Sequence, residues 1–127
     1  MSLRTPLGAA VGRGSARNGV HHWWVQRVTA VALLPLTLWL LVSLIQLPLT
    51  DHAAVVSWIG HDWHPVLLSL LVLVMTWHSQ LGVQVVIEDY VHRHLLKTLS
   101  LLSSSFLHVL VAAGGIYAVL RIALRSP

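Results

Sequence analysis

The chain has 127 residues, 56% of them hydrophobic and 9% charged, with a mean hydropathy of +0.75 and a net charge of +4. A soluble domain carries roughly 25% charged residues, so this composition excludes an ordinary water-soluble protein and points to one small integral membrane domain over residues 1–127. There are no cysteines, which excludes disulfides, thiolate zinc sites and cysteine-held iron–sulfur clusters within the chain; any metal centre must rest on histidine, of which there are nine.

Arg4, Arg13, Arg17 and Arg27 precede the first apolar run. Basic residues flanking a membrane span act as topology signals, and nucleic acid is not an expected partner. Residues 1–20 form an N-terminal segment expected on the cytoplasmic side. No apolar core precedes Arg27, so this segment does not read as a signal peptide. The first membrane span is expected at about 28–47, with Pro35 inside it; neighbouring helices tolerate such a proline in a membrane.

The stretch from Pro48 to Pro65 carries Asp51, His52, Asp62 and His64 but no lysine or arginine. Its middle, Ala53 to Trp58, is semi-apolar and is expected to form a short interfacial helix, with Trp58 and Trp63 at headgroup level. The second span is expected at about 66–87, with Pro65 in its first turn. A short polar loop follows, containing Glu88, Asp89, His92, Arg93, His94 and Lys97. The third span is expected at about 95–120. Arg93 and Lys97 place the second loop with the N-terminal arginines, which gives a cytoplasmic N-terminus and a periplasmic C-terminus. Arg121 and Arg125 stand against that orientation but are outnumbered, and Arg121 can snorkel from the last turn. Trp23 and Trp24 fit the inner aromatic belt. The fold class is therefore all-α, an integral membrane bundle of three transmembrane helices. Three spans bury little by themselves, so partner helices are expected, with Gly114, Gly115 and Ser103 to Ser105 as small residues for close approach.

The second span carries His78 in mid-run, where an ionisable side chain is costly and usually serves a ligand or a pathway. Gly82 follows one turn later on the same face. A histidine beside a gap of this kind suits a flat ligand such as haem, with the imidazole on iron and the missing side chain leaving room for the ring. A histidine bonded to another helix explains the residue equally well, and both readings are open. His78 lies roughly 16 Å along the helix axis from Asp89 at 1.5 Å per residue. Asp89 and Tyr90 sit at the membrane edge, where a phenol can donate to a quinone carbonyl; an interfacial tyrosine without a ligand is the plain alternative. Arg27, with His21 nearby, can meet a buried carboxylate or simply lipid phosphate. His108, the other mid-membrane histidine, is expected to make a polar contact. A pairing with His78 as an independent metal or proton carrier is a weaker alternative.

The segment from His78 through Gly82 to Asp89-Tyr90-Val91 resembles the His-x-x-x-Gly-x-x-x-x-x-x-Asp-Tyr-Val signature of the small cytochrome b membrane anchor of bacterial succinate dehydrogenase (complex II). Arg17-Asn18-Gly19-Val20-His21 followed by Arg27-Val28-Thr29-Ala30 resembles the N-terminal motif of that family, and Trp58-Ile59-Gly60 resembles its sequence before the second helix. The likeness runs from about Ser15 to Arg121.

The resemblance implies a subunit that is non-catalytic alone and pairs with a second, three-helix cytochrome b anchor. One haem b is then shared between them, with His78 as an axial ligand to the haem iron and Gly82 against the ring. It implies Arg27 and His21 near the propionates, and Tyr90 with Asp89 at ubiquinone. A flavoprotein subunit and an iron–sulfur subunit would dock on the cytoplasmic face of the bacterial inner membrane, passing electrons from succinate to quinone. His22 doubles the N-terminal histidine, and His92 and His94 take no assigned role. A cofactor-free structural or assembly subunit, surrounded by lipid, and the anchor of a fumarate reductase are the alternatives.

Overall fold

A chain this apolar must bond its backbone groups internally, and long helices do so without water. The computed structural model describes residues 16–125, with side chains from Gly19 onward. Arg4 and Arg13 lie outside the described residues, as do the side chains of Arg17 and Asn18. Four helices follow one another: α1 (Ala16–Gln46), α2 (His52–Gly60), α3 (His64–Tyr90) and α4 (His94–Ala123). Gly19–Gln46, His64–Tyr90 and His94–Ala123 are each long and apolar enough to cross a membrane. Among the described residues there is no strand. The protein is an all-helical, multi-pass membrane bundle.

α1 begins at Ala16, well before the apolar run from Val28, and continues through Pro35. The extension places His22, Gln26 and Arg27 on a helix instead of a loop. α2 is capped by Asp51, whose carboxylate accepts from the backbone N–H groups of Ala53 at 2.9 Å and Ala54 at 3.3 Å, satisfying donors that a helix start leaves free. The turn into α3 passes through Asp62, in the left-handed region at φ 48°, where aspartate is among the better-tolerated residues. Pro65 occupies the first turn of α3, where a missing N–H costs nothing. At the other end, Lys97 Nζ donates to the Glu88 carbonyl at 3.0 Å, tying the start of α4 to the last turns of α3.

α3 lies between the other two spans. It packs against α1 on one side and α4 on the other, while α1 and α4 do not touch; α2 rests against α3 and α4. An aromatic stack draws α1, α2 and the start of α3 together. Trp58 lies 4.5 Å from His64 and 5.8 Å from Trp39 between ring centroids, and His64 Nδ1 donates to the Trp58 carbonyl at 2.7 Å. Gly115 permits the close approach of α4 to α3, since a Cβ there would come within 2.8 Å of Val72 Cγ1. It is thus used inside the chain, whereas Gly114 faces open space. Among the described residues only Thr29, Leu36, Leu71 and Leu81 are buried. The large apolar faces that remain exposed suit a bundle that sits in lipid.

Candidate functional site

α1 and α3 line an open cleft of about 860 Å³, within the roughly 300–1,000 Å³ typical of ligand sites. From α1 it is lined by Gly19, His22, Trp23, Gln26, Arg27 and Ala30, and from α3 by His78, Gly82, Gln84, Val85 and Glu88. The α1 residues recur at intervals of three and four, so they form one helical stripe. No α4 residue contributes, so both walls come from two of the three spans.

His78 is half-buried and its Nδ1 lies 2.9 Å from Thr29 Oγ1. Thr29 is 6% exposed, and its hydroxyl also faces the carbonyls of Val25 at 2.8 Å and Gln26 at 3.0 Å. A hydroxyl has one hydrogen to give. With that hydrogen on the α1 backbone, Thr29 can only accept from His78, which assigns the proton to Nδ1. Nε2 then keeps its lone pair, and no protein hydrogen bond engages it among the described residues. An imidazole held at one nitrogen with the other free is how metal-ligating histidines are oriented. Thr29 lies within the Arg27-Val28-Thr29-Ala30 motif, but nothing in the sequence alone pairs it with His78.

One turn from His78, a Cβ on Gly82 would meet only Gln26 Nε2, at 3.9 Å. The glycine therefore leaves a shallow recess open to the cavity. Arg27 lies over the Trp23 ring, 4.4 Å from its centroid, a cation–π contact that steers the guanidinium. His22 Nε2 and Gln26 Oε1 are buried without a partner, a state that buried polar atoms rarely hold unless a ligand or water meets them. A flat, largely apolar ligand with anionic arms fits this set: a lone pair on Nε2, a recess beside it, and a guanidinium and an imidazole at one end. Glu88 shares the lining, but its Oε1 accepts from Gln84 Nε2 at 2.8 Å.

Of the residues singled out in the sequence, His78, Gly82 and Arg27 meet in this cavity. His21 is exposed and outside the lining, where His22 stands instead. The cavity-facing stripe of α1 runs through Gly19, His22, Trp23, Gln26, Arg27 and Ala30, and His21 falls outside its edge. Asp89 is exposed and Tyr90 is 79% exposed at the end of α3, and neither lines the cavity. His108 turns towards α3 by another route: its Nδ1 donates to the Ser104 carbonyl at 2.7 Å, and its Nε2 accepts from Ser79 Oγ at 3.2 Å. It is a satisfied polar bridge between α4 and α3. Ser105 likewise accepts from Gln80 Nε2 at 3.1 Å. Among the described residues no group of three or more His, Asp or Glu side chains could hold a bare metal ion.

A family model described as the succinate dehydrogenase/fumarate reductase transmembrane subunit matches residues 1–119. The chain is 31% identical over 117 residues to the succinate dehydrogenase hydrophobic membrane anchor subunit of Rickettsia bellii, covering 92% of this chain and 94% of that one. It is 30% identical over 126 residues to the protein of the same name from Paracoccus denitrificans, covering 99% and 97%. The corresponding Rickettsia conorii protein is 34% identical over 102 residues, covering 79% and 81%. No solved structure matches the chain significantly. The chain belongs to the family of succinate dehydrogenase/fumarate reductase transmembrane subunits.

Proposed function

We propose that this chain is the haem- and quinone-side anchor of a succinate:quinone oxidoreductase, and that the α1–α3 cavity is its half of a haem b site shared with a second cytochrome b anchor. The observation that carries the reading is the Thr29–His78 bond, which leaves Nε2 free beside the recess at Gly82. Haem supplies reversible one-electron chemistry at its iron when bound. The protein's own residues bind and orient it. His78 offers the ligand nitrogen, Thr29 fixes its tautomer, and Gly82 admits the ring edge. Arg27, braced on Trp23, and His22 meet the propionate carboxylates; His22 takes the place expected for His21.

Tyr90 and Asp89 stand apart from this cavity at the end of α3. There the Tyr90 hydroxyl, with Asp89 beside it, would donate to a ubiquinone carbonyl. The exposure of Tyr90 suits a site that this chain does not form by itself. The flavoprotein and iron–sulfur subunits would dock on the cytoplasmic face of a bacterial inner membrane, the side bearing the second loop. The names of the relatives favour succinate oxidation over fumarate reduction.

The test is a reduced-minus-oxidised visible spectrum of the co-expressed complex. Wild type should show a b-type signal, and His78→Ala should lose or shift it. A normal bis-histidine haem spectrum in His78→Ala overturns the ligand role. A second reading draws on the same bond: Thr29–His78 is also a complete interhelical hydrogen bond, as a cofactor-free structural or assembly subunit would use. Complexes lacking haem absorption and indifferent to His78 replacement would establish that reading instead.

A further inference from the structure

α2, the last turns of α4 and the turn that follows line a second, open cavity of about 540 Å³ at the end of the bundle opposite the α3–α4 loop. Its polar lining is His52 from α2, Tyr117 and Arg121 from α4, and Arg125 from the turn that follows; Val56 and Ile122 are among its apolar walls. Tyr117 and Arg121 lie four residues apart on one face of α4, and Arg125 follows in the turn just past its end, where its N–H donates to the Ile122 carbonyl at 3.1 Å. Among the described residues neither guanidinium is paired with a carboxylate, and the single close acid–base contact, His61 with Asp62, lies elsewhere. Asp51, next to His52, directs Oδ1 to the first N–H groups of α2.

Arg121 and Arg125 are also the two basic residues that oppose the charge asymmetry of the chain. Two arginines, one in the last turn of α4 and one just past its end, concentrate positive charge where the hydrocarbon layer meets the headgroups. Guanidinium forks match the non-bridging oxygens of a phosphate, and basic pockets between membrane helices take acidic headgroups. The apolar walls continue directly into the spans, so the complementary ligand has an anionic phosphate head and hydrocarbon tails. A zwitterionic head would bring a cation up to both guanidinium groups.

We propose that this cavity binds the phosphodiester of an anionic phospholipid. Arg121 and Arg125 hold the non-bridging oxygens, Tyr117 and His52 donate from the flanks, and the acyl chains run along Val56 and Ile122. The lipid thereby ties the interfacial helix α2 to α4. The site is independent of haem and of quinone.

The complex is purified in mild detergent, stripped of lipid, and titrated with phosphatidylglycerol, phosphatidylcholine or inorganic phosphate. Retained lipid is measured by mass spectrometry and stability by thermal melting, since a ligand of the folded state raises its apparent stability. Phosphatidylglycerol should be retained and should raise the melting temperature, and the other two should not. Retention should fall by roughly tenfold to a hundredfold in Arg121→Gln/Arg125→Gln, the factor that hydrogen bonds to charged groups carry. Equal stabilisation by phosphatidylcholine or by inorganic phosphate overturns the proposal, as does undiminished retention in the double variant. If that variant fails to assemble, Tyr117→Phe/His52→Gln takes its place, and wild-type retention there overturns the proposed contacts.

Discussion

Thr29→Val is the most incisive perturbation of the candidate haem site. Valine keeps the shape and the β-branched rotamer restriction of threonine but removes the hydroxyl. In the wild type that hydroxyl sits 2.9 Å from His78 Nδ1, at a position only 6% exposed. Without it, Nδ1–H has no acceptor in a low-dielectric interior, which costs about 1–3 kcal/mol. The ring can escape by moving its proton to Nε2, but that consumes the lone pair the iron needs. Loss of an outer partner of a metal ligand typically lowers affinity by about 10–100-fold. Haem transfer from the detergent-solubilised complex to an excess of an apo-globin measures this, and the off-rate should rise by about that factor. The midpoint potential should also move upward, because an imidazole that no longer donates from Nδ1 is a poorer donor to the oxidised iron. Thr29→Ser restores the hydroxyl and should return both readouts close to wild type. An unchanged off-rate and potential in a properly assembled Thr29→Val complex would refute the tautomer argument. A change that serine fails to rescue would reduce it to a packing effect.

Two further outcomes follow from the same geometry. Tyr90→Phe removes one donor at the exposed end of α3; quinone reduction should fall by roughly two- to tenfold, the weight of one hydrogen bond, while succinate oxidation by an artificial acceptor is retained. Equal loss of both activities would count against a quinone role. Gly115→Ala places a methyl 2.8 Å from Val72 Cγ1 and should destabilise the complex by about 1–3 kcal/mol through overpacking, seen as a lower melting temperature. Val72→Ala should offset that loss in the double variant, and strictly additive single effects would show that the two residues do not meet.

The sequence exposes these elements to very different degrees, and the reason is physical. The spans are legible because about 20 apolar residues in a row have few other uses. His78 is legible because an imidazole in such a run is expensive, and Gly82 because helical periodicity places it beside the imidazole. The role of Thr29 is hidden. A helix that is apolar all round carries no stripe to say which face meets which neighbour, so the pairing of α1 with α3 emerges only from their packing. The choice between His21 and His22 has the same origin. Once α1 extends back to Ala16, the helix places one imidazole in the cavity and the other outside it.

The remaining gap lies in what one chain can hold. The α1–α3 cavity has walls from two helices, and its lone-pair donor and its buried orphans, His22 Nε2 and Gln26 Oε1, converge on it without a protein partner. α4 cannot close it, because α4 packs on the far side of α3 and does not reach α1. Orphaned polar atoms persist in a membrane interior only when something meets them. The arrangement is what the proposed shared haem site requires: a ligand to meet the orphans and a further helix, outside this chain, to close the third side.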